Sequence, residues 1–177
     1  TGSPYGKFGG VRSVFTTMSE LPLLGVGLAL IYFKTGNLML PSILEYQAAH
    51  GPLIAQVPLA FVAVFVCALS KLKYSPFAII YGKDIVTGYQ TEHYGVLRSA
   101  LLTGESLMIF TWITLLVAVF FGTFPLWAMI IMGVILLVAM SFIAGTTPLL
   151  APHHSIQFQG ALIMTILAIS LIIEMVI

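Results

Sequence analysis

PLWAMIIMGVILLVAMSFIA, residues 125–144, contains no charged side chain. At a helical rise of about 1.5 Å per residue its length reaches across roughly 30 Å of hydrocarbon, so it predicts a transmembrane helix. Just before it, Phe121–Gly122–Thr123–Phe124–Pro125 is a tight connection punctuated by Gly and Pro. The apolar run upstream, residues 96–121, is therefore its partner in a helical hairpin. Three more stretches pass the same length test: residues 11–33, residues 53–69, opened by Pro52 and holding Pro58 in its first turns, and residues 156–177. The expected fold class is an all-α membrane protein of about five transmembrane helices in a single membrane domain over residues 1–177.

Composition agrees with that class. The 177 residues are 59% hydrophobic and 7% charged, against about 25% charged in a soluble domain. So few charges cannot build a water-facing surface, whereas lipid covers the outside of a membrane protein and leaves only loops and helix ends to water. The net charge of +1 and seven scattered basic residues exclude a nucleic-acid partner. Cys67 is the one cysteine; disulfides within the chain and cysteine-based iron–sulfur or zinc spacing are thereby ruled out. The Gly-rich opening, TGSPYGKFGG, lacks an initiator Met and a signal peptide and reads as the middle of a longer protein.

Basic residues are retained on the cytoplasmic side during insertion. Lys7, Arg12, Lys71, Lys73, Lys83 and Arg98 fall on one side of the five predicted spans and Lys34 on the other. The N-terminus is then cytoplasmic, the C-terminus is outside, and residues 71–95 form a long cytoplasmic loop holding most of the polar chemistry.

Arg12, Glu20, Arg98 and Glu105 lie in or near spans, where an unpaired charge costs several kcal/mol, on the order of 2–4 on insertion scales. The two arginines lie near the cytoplasmic ends of their spans and can snorkel to the interface. Glu20 and Glu105 sit about two turns inside and need a cation, a water-filled cavity or a proton. A carboxylate in low dielectric gains proton affinity and one beside a cation loses it, which is the minimum machinery of a proton path. Lys83, Asp84, Glu92 and His93 bracket an aromatic-rich loop, GKDIVTGYQTEHYG. His153 and His154, in APHHS, are adjacent and have no third ligand nearby in sequence, so they read as an interfacial loop rather than a metal site.

The opening TGSPYGKFGGVR, followed within two turns by Glu20, resembles the segment preceding the fourth span in the subunit 1 type membrane protein of respiratory complex I. The likeness is strongest to its counterpart in group 4 energy-converting NiFe hydrogenases, with the Glu spacing shifted by about one residue. Pro76–Phe77 and the run Gly88–Tyr89–Gln90–Thr91–Glu92–His93–Tyr94–Gly95 resemble that family's PFD…EAEQE…G…TEYSG loop. Leu102–Thr103–Gly104–Glu105 resembles the acidic start of its sixth span. The likeness runs along the whole chain, whose five spans would match the last five of eight.

The resemblance implies an anchoring and ion-coupling subunit of a multisubunit oxidoreductase in the cell membrane, plasma or inner, and not a catalytic one. It implies that Asp84, Glu92, Glu105 and Glu20 form an acidic chain, with Arg12, Lys83 and Arg98 as charge partners. It implies no cofactor in this chain; the NiFe centre and iron–sulfur clusters would belong to peripheral partner subunits, beside other membrane subunits of a complex I-like arm. The sequence also departs from the family. Ala78, Ile79, Ile80, Tyr81 and Gly82 stand where it carries Asp and a Glu–Ala–Glu cluster. The loop from Thr146 to His154 lacks its arginines, which argues against a quinone chamber of the standard kind. Other readings are the equivalent subunit of a quinone-reducing or other-acceptor complex, a purely structural anchor, and a dimeric small-solute transporter. The last lacks the inverted repeat and paired interrupted helices such folds use.

Overall fold

The structure, a computed structural model, describes residues 4–72, 74–77 and 95–176; the side chains of some of these, Arg12 and Glu174 among them, lie outside the description. The described residues form seven helices and no strand: α1 Pro4–Thr35, α2 Leu40–His50, α3 Leu53–Gln56, α4 Pro58–Lys71, α5 Val96–Phe121, α6 Leu126–Thr146 and α7 Pro152–Val176. Four have windows long and apolar enough to cross a membrane, namely Thr17–Thr35 within α1, α5, α6 and His153–Ile173 within α7.

The expected second span is not one helix. Pro58 has no N–H to give the carbonyl of Ile54, and it drives the residue before it out of the helical region. Val57 accordingly sits at φ −133°, ψ 67°. The segment divides into α3 and the shorter α4, whose 14 residues rise only about 21 Å. The first span differs as well. Its helix begins at Pro4, yet its apolar window opens at Thr17, so Glu20 lies about one turn inside rather than two. His153 and His154 are in the first turn of α7, not in a loop.

Helix α1 stops where Gly36 takes a left-handed φ of 72° and donates to the carbonyl of Tyr32 at 2.8 Å, an end that glycine alone reaches without strain. Past it, α2 contributes one buried polar side chain. Gln47 Nε2 donates to the carbonyl of Val119 at 2.6 Å, and Gln47 Oε1 accepts from the N–H of Gly122 at 2.9 Å. Both groups lie at the C-terminal end of α5, where carbonyls lack helical donors. A buried glutamine thus caps a helix far away in sequence.

Side-chain contacts fix the directions. Glu20 meets Lys71 while Gly27 meets Ala60, Ala63 and Val64, so α1 and α4 are antiparallel. Gln159 reaches Ser70 while Ile166 packs with Ala63 and Cys67, making α7 antiparallel to α4 and parallel to α1. A Cβ at Gly27 would come within 2.7 Å of Val64 Cγ2, a close approach of the kind small residues allow between membrane helices. The α5–α6 hairpin joins this three-helix unit through Phe61, whose ring meets those of Phe120 and Phe121 edge-on at 5.2 and 6.1 Å.

Candidate functional site

Helix periodicity puts Cys67, Ser70 and Lys71 on one face of α4, at positions i, i+3 and i+4. That face meets Glu20 of α1 and Gln159 of α7. Glu20 is 3% exposed, and its Oε1 accepts a hydrogen bond from Lys71 Nζ at 3.1 Å. The pair is asymmetric in depth, since the lysine side chain is 37% exposed and the glutamate 4%. Lys71 ends α4, so a partly exposed lysine at a helix end reaches a buried acid.

Around this pair lies more polar chemistry. Cys67 Sγ points at the backbone oxygen of Glu20, 3.7 Å away. Gln159 Nε2 donates to Ser70 Oγ at 3.1 Å. Gln159, Ser70 and Ser155 are each 1% exposed or less. Leu23, Ala63, Cys67 and Ile166 pack beside the cluster as a small apolar core.

The structure places the other candidates elsewhere. Glu105 is half-buried on α5, in a groove of about 450 Å³ that Leu97, Ala100, Leu101, Gly104 and Met108 also line. Arg98 is exposed in the first turn of the same helix. Lys83, Asp84 and Glu92 lie outside the described residues, as does the side chain of Arg12. The cation observed on Glu20 is Lys71, which sequence reasoning does not single out as a partner. Ser70 and Ser155 escape it as well. Their signal is the spacing of Cys67, Ser70 and Lys71, and of Ser155 and Gln159, on single helix faces. No group of three His, Cys, Asp or Glu placed to hold a metal occurs among the described residues.

On the same side of the molecule as Lys71, the turn after α4 is fastened to the α6–α7 connection. Ser75 Oγ donates to the carbonyl of Thr147 at 2.7 Å, and the N–H of Leu150 donates to the carbonyl of Pro76 at 2.9 Å. Phe77 is buried and its ring lies 5.9 Å from that of Phe158. The first residues of the long loop are therefore tied to the helix that carries Ser155 and Gln159.

The family model for NADH dehydrogenase matches residues 1–175 of this chain. The chain belongs to the NADH dehydrogenase family. Among relatives, it is 45% identical over 163 residues to a Methanocaldococcus jannaschii protein provisionally named an NADH-ubiquinone oxidoreductase, covering 90% of this chain and 55% of that protein. It is 30% identical over 120 residues to an NADH-quinone oxidoreductase subunit of Protochlamydia amoebophila, 67% of this chain and 36% of the relative. The figure is 27% over 141 residues for the NADH-quinone oxidoreductase subunit of the same type from Helicobacter acinonychis, 78% and 43% of the two chains. This NADH dehydrogenase family chain thus spans about half or less of the length of these relatives. Its apolar helices and its family together make it a multi-pass membrane protein.

Proposed function

We propose that this chain is a membrane anchoring and ion-coupling subunit of a complex I-like assembly in the plasma or inner membrane. In this reading it docks a peripheral NiFe and iron–sulfur module of the energy-converting hydrogenase kind and transmits that module's redox chemistry to ion translocation. The observation that carries it is the Glu20–Lys71 pair, a carboxylate enclosed at the start of a membrane helix and held by a lysine whose side chain is partly exposed. Intramembrane charges of this type are costly and mark ion paths. The hydrogenase assignment is supported by the TGSPYGKFGGVR opening.

The switch is electrostatic. At rest the ammonium of Lys71 stands against the carboxylate of Glu20. A change of charge on the docked module acts on Asp84, Glu92 and the loop that begins where α4 ends, and draws the lysine head toward solvent. Parting and re-forming the pair is the step that couples to ion movement, and Glu105 on α5 takes the next place in the path. The NiFe centre and iron–sulfur clusters sit in the partner subunits and this chain supplies the charged relay.

The test is ions moved per electron in the assembly reconstituted into vesicles. Glu20→Gln and Glu105→Gln are each expected to keep electron turnover and to lower ion movement at least about fivefold, as loss of a relay group does. Unchanged stoichiometry in both variants would leave only a structural anchor. A quinone-reducing assembly is favoured as a second reading by the names of the Protochlamydia amoebophila and Helicobacter acinonychis relatives; quinone retained by the purified assembly distinguishes it from the hydrogenase type.

A further inference from the structure

Many hydroxyl groups on the described helices return to the backbone of their own helix. Thr103, Ser106, Thr111, Thr114 and Thr146 each donate to the carbonyl four residues back, at 2.8–3.0 Å, and Thr165 and Ser170 to the carbonyl three back at 2.9 Å. This is how a membrane helix disposes of a hydroxyl without water. Ser155 departs from this pattern. Its own N–H takes the carbonyl of Ala151 at 3.0 Å, and its Oγ, buried in α7, has no partner among the described residues.

Two further atoms share that condition. Glu20 Oε2 and Gln159 Oε1 are buried and have no hydrogen-bond partner among the described residues. The amide of Gln159 cannot be turned to remove the difficulty. With Nε2 on Ser70 the oxygen is unmatched, and with the oxygen on Ser70 the nitrogen would be. Buried polar atoms are otherwise nearly always satisfied, and each exception calls for an explanation such as an internal water or ion.

The three atoms belong to one run of neighbours. Lys71 holds Glu20, Ser70 precedes Lys71 and holds Gln159, and Ser155 lies one turn before Gln159 on the same face of α7. What they lack has a definite character. Glu20 Oε2 and Gln159 Oε1 are acceptors, and Ser155 Oγ both donates and accepts. A metal cation fits poorly because the ammonium of Lys71 already lies against Glu20. A water, which gives two protons and accepts others, matches the set.

We propose that Ser155, Gln159 and Ser70 form a hydrated seam that carries internal water from the Lys71 side of the membrane to the free oxygen of Glu20. This route runs along α7 and α4 and is separate from the acidic loop residues. Its use as a proton supply rests on the function proposed above; its hydration does not.

Cys67 is a built-in reporter, being the single cysteine, lying against the backbone oxygen of Glu20 and one turn from Ser70 on the same face of α4. X-ray radiolytic footprinting of the intact membrane assembly oxidises side chains beside bound water, and Met140, fully buried in the main core, serves as the dry reference. The expected result is a fall of about threefold or more in the Cys67-to-Met140 labelling ratio on Gln159→Leu, as the seam loses its polar lining. Should that variant fail to assemble, Ser155→Ala removes one oxygen and no bulk, and is expected to lower the ratio about twofold. A ratio unchanged from the parent protein in whichever variant assembles overturns the seam. Because no turnover is measured, this outcome is independent of whether the assembly pumps ions.

Discussion

The seam where α1, α4 and α7 meet and the α5–α6 hairpin are both built from apolar helices, yet they are held together differently. In the seam, Gly27 lets two backbones close up, an ion pair crosses from α1 to α4, and Gln159 reaches Ser70. In the hairpin, α6 is apolar on every side and large side chains such as Ile130, Val134 and Phe142 are exposed. Lipid solvates that surface as well as protein would, so apolar area alone gives little reason for α6 to pack in one way. Position in the membrane is set by hydrophobic length, whereas the arrangement of helices is set by the few polar and small residues between them.

If that contrast holds, substitutions of similar size should differ in effect according to where they fall. The largest loss is expected from Gln47→Leu, which leaves the carbonyl of Val119 and the N–H of Gly122 without their partner; about 2–4 kcal/mol follows from two orphaned buried groups. Thermal unfolding of the detergent-solubilised assembly measures it. Lys71→Met comes next, at about 1–3 kcal/mol, since it strands the carboxylate of Glu20 but the half-buried lysine began with less to lose than a fully buried one. Restoration of the melting temperature by adding Glu20→Gln would tie that loss to the stranded charge. Gly27→Ala is expected to cost about 1–2 kcal/mol because the stiff side chain of Val64 stands 2.7 Å from the new methyl. Ile130→Ala on an exposed position of α6 should change stability by less than about 0.5 kcal/mol. An equal effect of Ile130→Ala and Gly27→Ala would erase the distinction between the two regions.

The membrane class and the hairpin are legible because length and charge depletion are local properties of the chain. The break at Pro58 is also written locally, through a missing N–H, although apolar length alone reads the span as continuous. Helix α2 is not legible. Its Pro41, Ser42, Glu45 and Gln47 make it too polar for a membrane span, and its role depends on Val119 and Gly122, more than seventy residues later. The site divides in the same way. Glu20 stands out as an acid in an apolar run, but its cation is 51 residues away and the Ser70–Gln159 contact spans 89. Neither composition nor periodicity specifies which faces of two distant helices meet.

Replacement of Lys71 by arginine and by methionine, with ions moved per electron counted in reconstituted vesicles, addresses the ion pair most directly. Arginine keeps a cation within reach of Glu20 and is expected to retain most of the translocation, while methionine is expected to abolish it with electron turnover continuing. Equal translocation by the two variants would show that the charge on Lys71 has no part in coupling.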